Sequence, residues 1–414
     1  MEGWRKIKLK SMFVKFIIIF NSFLNLVLLS CSNHFEQDKY EIAHIVDSIG
    51  NQLIINRHSA VWNYKIIETN GQLLLNIESD QKAGLEHLEE ELKSKYPDLQ
   101  LNVSVLLQHE LKAYPFGLIN ISTGNVRKTP KHNSELITQE LMGAPVKVLQ
   151  QENGWFLIQT PNGYVGWIDA PGISLRSEIE MKNLSNQTFG IFTKQFGQVY
   201  KSKDRTEVVS DMVLGNILKI TQNLVGFYAV ELPDGRKGFI EKEGMISLKS
   251  IFNQSKIDAN DLVKLAKTFM GVSYLWGGKS SKAIDCSGFT SLIYFFSGII
   301  LQRDASQQIK YGELVDTDEG FSNLEIGDLL FFGKKGSDIS AERVIHVGMH
   351  IGNGEFIHSS GFVRVSSLNQ ESPNFDNGYY LSFLRAKRML NCVGNLGVEK
   401  IENNELYHYF LKPD

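Results

Sequence analysis

Tyr274-Leu275-Trp276-Gly277-Gly278, followed closely by Asp285-Cys286-Ser287-Gly288-Phe289, reads as a glycine-rich turn running into a helix. Phe289, Leu292, Ile293 and Phe296 recur at the spacing of one apolar helix face, so Cys286 stands at a helix start with Asp285 placed to cap it. At that end the unpaired amides and the macrodipole favour negative charge. The reading therefore predicts a thiol pKa below its ordinary value and more thiolate at neutral pH. A lone cysteine is more often a small buried hydrophobe; only the flanking pattern favours a reactive one.

A cysteine nucleophile needs an imidazole to take its proton and a third group to orient that imidazole. Two histidines fit. In Arg343-Val344-Ile345-His346-Val347-Gly348-Met349, the residues Val347, Met349 and Ile351 alternate with His346, Gly348 and His350, which puts His346 on a strand opposite an apolar face. His358 follows in Glu355-Phe356-Ile357-His358-Ser359, and the Gly352-Asn353-Gly354 turn makes a hairpin that brings both to one end of a sheet. His350 shares the face of His346 but lies about 13 Å further along it, at ~3.3 Å per residue, and is expected to be structural. With no HExxH pattern or closely spaced Cys/His set, neither a metal nor another cofactor is expected.

The rest of the chain supplies context for that site. At 414 residues it exceeds one ordinary core, so roughly two to four domains are expected. A net charge of -3 without a dense Lys/Arg stretch beyond the N-terminal segment gives no reason to propose nucleic-acid binding. The composition, 43% hydrophobic and 11% aromatic, is that of packed domains rather than a disordered chain. Three cysteines are too few for a disulfide scaffold. The first, Cys31, follows a basic segment (Arg5, Lys6, Lys8, Lys10, Lys15) and an apolar run from Phe16 to Leu29, the layout of a signal sequence over residues 1–30. Leu28-Leu29-Ser30-Cys31 resembles the bacterial lipobox. That resemblance implies lipidation of Cys31 and a protein held on a membrane in the cell envelope, facing the periplasm or the outside. An uncleaved membrane anchor is the alternative, although Asn21, Ser22 and Asn25 interrupt the apolar run.

Residues 31–112 read as a polar tether, Ser32 to Lys39, and a small α+β unit. Asn63 to Glu68 and Leu73 to Glu78 are expected to pair around Asn70-Gly71, Lys82 to Tyr96 to form a helix, and Leu101 to Leu107 a further strand. An internal repeat follows at an offset of 72 residues, from Gly143 to Gly215. Gly154-Trp155-Phe156-Leu157-Ile158 faces Gly226-Phe227-Tyr228-Ala229-Val230, and Pro161-Asn162-Gly163 faces Pro233-Asp234-Gly235, each a two-residue hairpin signal. Two small β-barrels are expected, over 113–178 and 179–250, and their pattern resembles bacterial SH3 domains. Helical periodicity resumes near Asp258 and opens a catalytic domain over 251–392. Cys392 is expected to be an unpaired structural residue, and 393–414 reads as an uninterpreted tail.

Tyr-x-Trp-Gly-Gly, Asp-Cys-Ser-Gly-Phe, Gly327-Asp328-Leu329-Leu330-Phe331-Phe332, His346-Val347-Gly348 and Phe356-Ile357-His358 together resemble the NlpC/P60 family over roughly 258–390. The resemblance implies an α+β multidomain fold with a papain-like catalytic domain. It makes Cys286 the nucleophile, His346 the base and His358 the orienting residue, with Tyr274 and the Cys286 amide stabilising an oxyanion. The implied activity is a cysteine endopeptidase that cuts peptidoglycan stem peptides between γ-D-glutamate and an L-diamino acid. A subgroup with SH3 domains carries Arg-Asp-x-x-x-Gln after the first catalytic helix, matched here by Arg303 to Gln308, and holds the free amine of the stem's L-alanine. By that resemblance Asp285, Ser287, Asp304 and Ser306 are candidates for the amine subsite, Tyr164 for its roof and Glu135 for an acid from the SH3 domain. The competing readings are an endopeptidase on intact crosslinked wall, a non-catalytic wall-binding lipoprotein, and an acyltransferase or amidase on the same scaffold.

Overall fold

The computed structural model describes residues 35–53, 60–69, 71–252, 257–337 and 340–411. The signal segment, Cys31 and Asn70 lie outside these residues. Two compact units divide the chain, Met1–Leu106 and Leu107–Asp414.

The first unit packs two helices on a three-stranded sheet. Trp62–Thr69 and Gln72–Ser79 form an antiparallel hairpin with Trp62 opposite Ser79, and Gln100–Val105 joins Gln72–Ser79 in parallel across the helix Lys82–Lys95. A parallel neighbour requires such a crossover. Leu73, Leu75 and Ile77 alternate inward against Leu85, Leu88 and Leu92. Residues 35–53 form a helix that buries Ile42, Val46 and Ile49 in the same core. The expected tether thus ends before Phe35, because three apolar residues at helical spacing give its continuation a face to bury. No helix among the described residues is long and apolar enough to cross a membrane.

The second unit opens with two barrels of the same topology. Strands Phe116–Ile119, Thr123–Arg127, Leu136–Leu141, Pro145–Glu152, Trp155–Gln159, Val165–Asp169 and Ile173–Arg176 make the first, and seven strands between Phe189 and Ser247 repeat their order in the second. Register shifts fall at matching points, between Val148 and Gln150 and between Ile220 and Gln222. The hairpin glycines Gly163 and Gly235 have φ of +82° and +88°, the left-handed region that a primed two-residue turn demands.

Beyond the barrels, helix Cys286–Phe295 lies against a six-stranded sheet that includes Leu329–Lys334, Arg343–Gly352, Glu355–Ser360, Phe362–Ser367 and Phe383–Arg388. Phe289, Leu292 and Ile293 pack with Val347, Met349 and Ile357 in one core, which also takes Leu141 from the first barrel and Val213 and Leu214 from the second. The barrels are therefore part of the catalytic unit's packing. So is the segment read as a tail: Val398–Lys400 pairs with Ile299–Leu301, and Tyr407 and Phe410 are buried with Leu118, Met181, Ile217 and Leu248. Asn404 donates to the Pro161 carbonyl at 2.8 Å, fastening that segment to the first barrel.

Candidate active site

Asp285 caps the helix as its sequence position requires, accepting the Gly288 amide at 2.6 Å. Gly288 has no alternative, since a Cβ there would stand 2.3 Å from the Gly278 carbonyl oxygen. Cys286 is the first helical residue, unpaired and 8% exposed. Ser359 donates to the Ile284 carbonyl at 2.8 Å and so ties the turn before the cysteine to the His358 strand.

The ladder between the two histidine-bearing strands runs from Met349 opposite Ile357 to Gly352 opposite Glu355. Past it, the Val347 amide is directed at the Cys286 sulfur, as is the Ser287 amide. His346 therefore directly precedes the residue that touches the thiol. Its Nε2 meets Nδ1 of His358 at 2.7 Å, and Nε2 of His358 meets Ser366 Oγ at 3.1 Å. With Nε2 so engaged, Nδ1 is the His346 ring nitrogen not held by His358. Tyr379 holds this pair from the side, its ring centroid 5.0 Å from that of His346 and 4.8 Å from that of His358. The Tyr379 hydroxyl is anchored on Ser360 at 2.9 Å. Neither Ser366 nor Tyr379 was expected. Tyr379 sits in the short helix Asn377–Ser382, which buries no residue and so shows no apolar period.

Burial dominates the electrostatics of the site. Burial, with Asp285 adding to it, pushes the thiol up to about 12, outweighing the Val347 and Ser287 amides and the Arg303 charge, which pull it down. This corrects the expectation of a lowered thiol: the helix start is present, but desolvation is the larger effect. Burial likewise lowers His346 to about 3 and His358 to about 2, helped by the Arg364 charge and, for His358, by His346. Tyr274 is half-buried near the thiol, and burial followed by the Cys286 charge raises its hydroxyl above the usual range.

The amine-subsite candidates separate into two groups. Tyr164, buried in the first barrel, reaches across to Asp304 with its hydroxyl 3.1 Å from Oδ2. Burial and then the Asp304 charge keep that phenol protonated. Asp285 and Ser287 are committed elsewhere: Asp285 accepts the Gly277 and Gly288 amides and a two-pronged Arg303 guanidinium, which also donates to Ser287 Oγ at 3.1 Å. Ser306 is exposed on the helix Ala305–Gln308. Glu135 is exposed as well and lies 3.9 Å from Lys128 at the barrel surface. The acid that the barrel turns toward the catalytic domain is Glu140, 2% exposed and paired with Lys279 at 2.9 Å. Glu135 lies just before the strand Leu136–Leu141, whose Ile137 points into the barrel core while Thr138 and Glu140 meet the catalytic domain. Gln139 also crosses over, accepting the Lys279 amide at 3.0 Å.

His350 donates from Nδ1 to the Glu325 carbonyl, 2.9 Å away, and takes no part in the histidine pair. No cluster of His, Cys, Asp and Glu that could hold a metal occurs among the described residues. A thiol at a helix start, met by the backbone amide next to a histidine carried on an antiparallel sheet, gives a papain-like cysteine peptidase domain. The chain belongs to the NlpC/P60 family. The model of that family matches residues 271–379, and the model of the bacterial SH3 domain matches residues 122–174. The γ-D-glutamyl-L-lysine dipeptidyl-peptidase of Bacillus cereus is 30% identical over 62% of this chain and 76% of its own length. Dipeptidyl-peptidase 6 of Lysinibacillus sphaericus is 27% identical over 60% of this chain and 90% of its own. The crystal structure of an NlpC/P60 family protein from Bacillus cereus aligns with a TM-score of 0.56 and 25% identity, over 66% of this chain and 99% of that one.

Proposed function

We propose that the protein hydrolyses the γ-D-glutamyl–L-diamino acid bond of peptidoglycan stem peptides and prefers stems whose L-alanine amine is free. The observation that carries the reaction is the 2.7 Å His346–His358 contact beside a thiol touched by the Val347 amide. The choice of bond is supported by relatives named for γ-D-glutamyl-L-lysine cleavage. In this reading Sγ of Cys286 attacks the γ-carbonyl carbon as its proton passes to His346, and His358 holds the ring. The Cys286 amide and the Tyr274 hydroxyl donate to the oxyanion. The C–N bond then breaks, the leaving amine takes the proton from His346, and water activated by His346 cleaves the thioester to restore the thiol and release the glutamyl carboxylate.

The amine preference is supported by Asp304 and Tyr164 meeting at the junction of barrel and catalytic domain. A desolvated ammonium needs such a carboxylate and hydroxyl. Product analysis of L-Ala-γ-D-Glu-L-Lys and its diaminopimelate counterpart, each free and N-acetylated, tests the reading. Asp304→Asn is expected to raise KM for free-amine peptides about 10- to 100-fold, the weight of one charge-assisted contact, and to leave the slow acetylated substrates unchanged. Equal cleavage of free and acetylated stems would instead favour intact wall as the substrate.

We further place the protein on a membrane through lipid on Cys31, supported by the Leu28-Leu29-Ser30-Cys31 sequence after a basic and apolar leader. Cys31→Ala should move it from the membrane to the aqueous fraction on cell fractionation. Retention of the variant in the membrane would argue for an uncleaved anchor.

A further inference from the structure

Arg303 is 1% exposed and heads the fully buried side chains by volume. Nη2 donates to Asp285 Oδ2 at 2.6 Å and Nη1 to Oδ1 at 3.1 Å. Nη1 also reaches Ser287 Oγ at 3.1 Å, and Nη2 the Gly278 carbonyl at 3.4 Å. The remaining donor, Nε, crosses to the first barrel and meets Thr138 Oγ1 at 2.7 Å, itself wholly buried. Only a planar guanidinium offers this fork with a donor to spare. Gly277 marks how tightly the two bodies meet here, since a Cβ on it would lie 2.6 Å from the Leu136 carbonyl oxygen of the barrel strand. Gln308, at the other end of the Arg-Asp-x-x-x-Gln stretch, accepts from Thr290 of the cysteine helix at 2.9 Å. Both ends of the stretch therefore grip that helix.

Asp285 places a buried carboxylate one residue from a thiol that must give up its proton, and a nearby negative charge opposes that step. We propose that Arg303 is a positioning residue that cancels the field of Asp285 at Cys286 while locking the first barrel to the cysteine helix. The barrel is then part of the thiol's electrostatic setting as well as a neighbour of the cleft. Asp285 raises the Cys286 pKa and Arg303 lowers it, in keeping with this division. The inference rests on the proposed function only in taking Cys286 as the reacting thiol.

The test needs no peptide substrate. On the full chain, iodoacetamide alkylation of Cys286, located by mass spectrometry of its tryptic peptide, is followed against pH for Asp285→Asn, Arg303→Met and the double variant. A shift of about one pKa unit is about tenfold in thiolate at fixed pH. Asp285→Asn should therefore speed alkylation at pH 7 about tenfold, and Arg303→Met should slow it about tenfold. The double variant, neutral at both positions and still capped by the Asn oxygen, should return to within about threefold of the parent. A merely structural arginine would not produce changes of opposite sign. Unchanged profiles, or a double variant as slow as Arg303→Met, would overturn the proposal. If Arg303→Met does not fold by circular dichroism, Asp285→Asn and the double variant decide by the same criteria. The expected alkylation pattern without peptide hydrolysis would count against the proposed substrate and leave the role of Arg303 standing.

Discussion

Cys286→Ala is expected to lower stem-peptide hydrolysis by about ten-thousand-fold or more, the scale seen when a nucleophile that acts as a unit with its base is removed. The same change should hardly alter folding. Cys286 is 8% exposed among packed residues, and removing one atom there leaves a small void worth about 1 kcal/mol. Hydrolysis rates alongside thermal melting separate the two effects. Residual activity within about a hundredfold of the parent would show that another group attacks the carbonyl, or that water does so directly. The size of the expected loss follows from the resting state. Burial raises the thiol and lowers both imidazoles, so in the proposed mechanism proton transfer to His346 accompanies attack.

The second large effect is on stability in acid. His346 and His358 have folded-state pKa values lowered from 6.5 to about 3 and about 2. Above pH 6.5 neither state binds the proton, and the two histidines contribute no pH dependence. Below it the unfolded chain takes up protons that the native pair refuses, so stability falls as pH drops toward 3, by up to about 1.4 kcal/mol per unit for each histidine. Urea unfolding at pH 7, 6, 5 and 4 should show this slope. His358→Gln should make it shallower by about one histidine's share, since the amide can still meet His346 Nε2 without titrating. Identical slopes in parent and variant would mean that the pair is not held neutral by burial.

Much of the catalytic architecture was legible because it is local. The cap and apolar face around Cys286, the alternation about His346 and the glycine turn before His358 each span a few residues. Helical and strand periods place them with little help from distant contacts. The duplicated barrels were legible for a related reason: a repeat offset carries turn glycines along with it, and Gly163 and Gly235 occupy the same left-handed corner. What escaped the sequence depends on burial or on surfaces that only assembly creates. The thiol pKa went the wrong way because a helix start can be read from a sequence and desolvation cannot. The pairing of Asp285 with Arg303 was not legible because the two lie on separate elements, and the barrel strand that completes the arginine's bonding, through Thr138, is further away still. Glu135 was named as lying near the expected strand, whose register put Ile137 where the acid would stand, and Glu140 emerged only once the barrel was docked. In the segment after Val393, Tyr407 and Phe410 find their place only where both barrels and the catalytic domain meet. The helix over 35–53 is a different case, since Ile42, Val46 and Ile49 already showed its period in the sequence.

The central claim is that the sulfur of residue 286 forms the covalent intermediate with the glutamyl carbonyl, and acid quenching of a single turnover tests it most directly. Intact-protein and peptide mass spectrometry after mixing with L-Ala-γ-D-Glu-L-Lys should find an L-Ala-D-Glu thioester on the peptide carrying Cys286. The adduct should be lost on hydroxylamine treatment and absent from Cys286→Ala. Steady hydrolysis by Cys286→Ala, or an acyl group mapped to any other residue, would contradict the account.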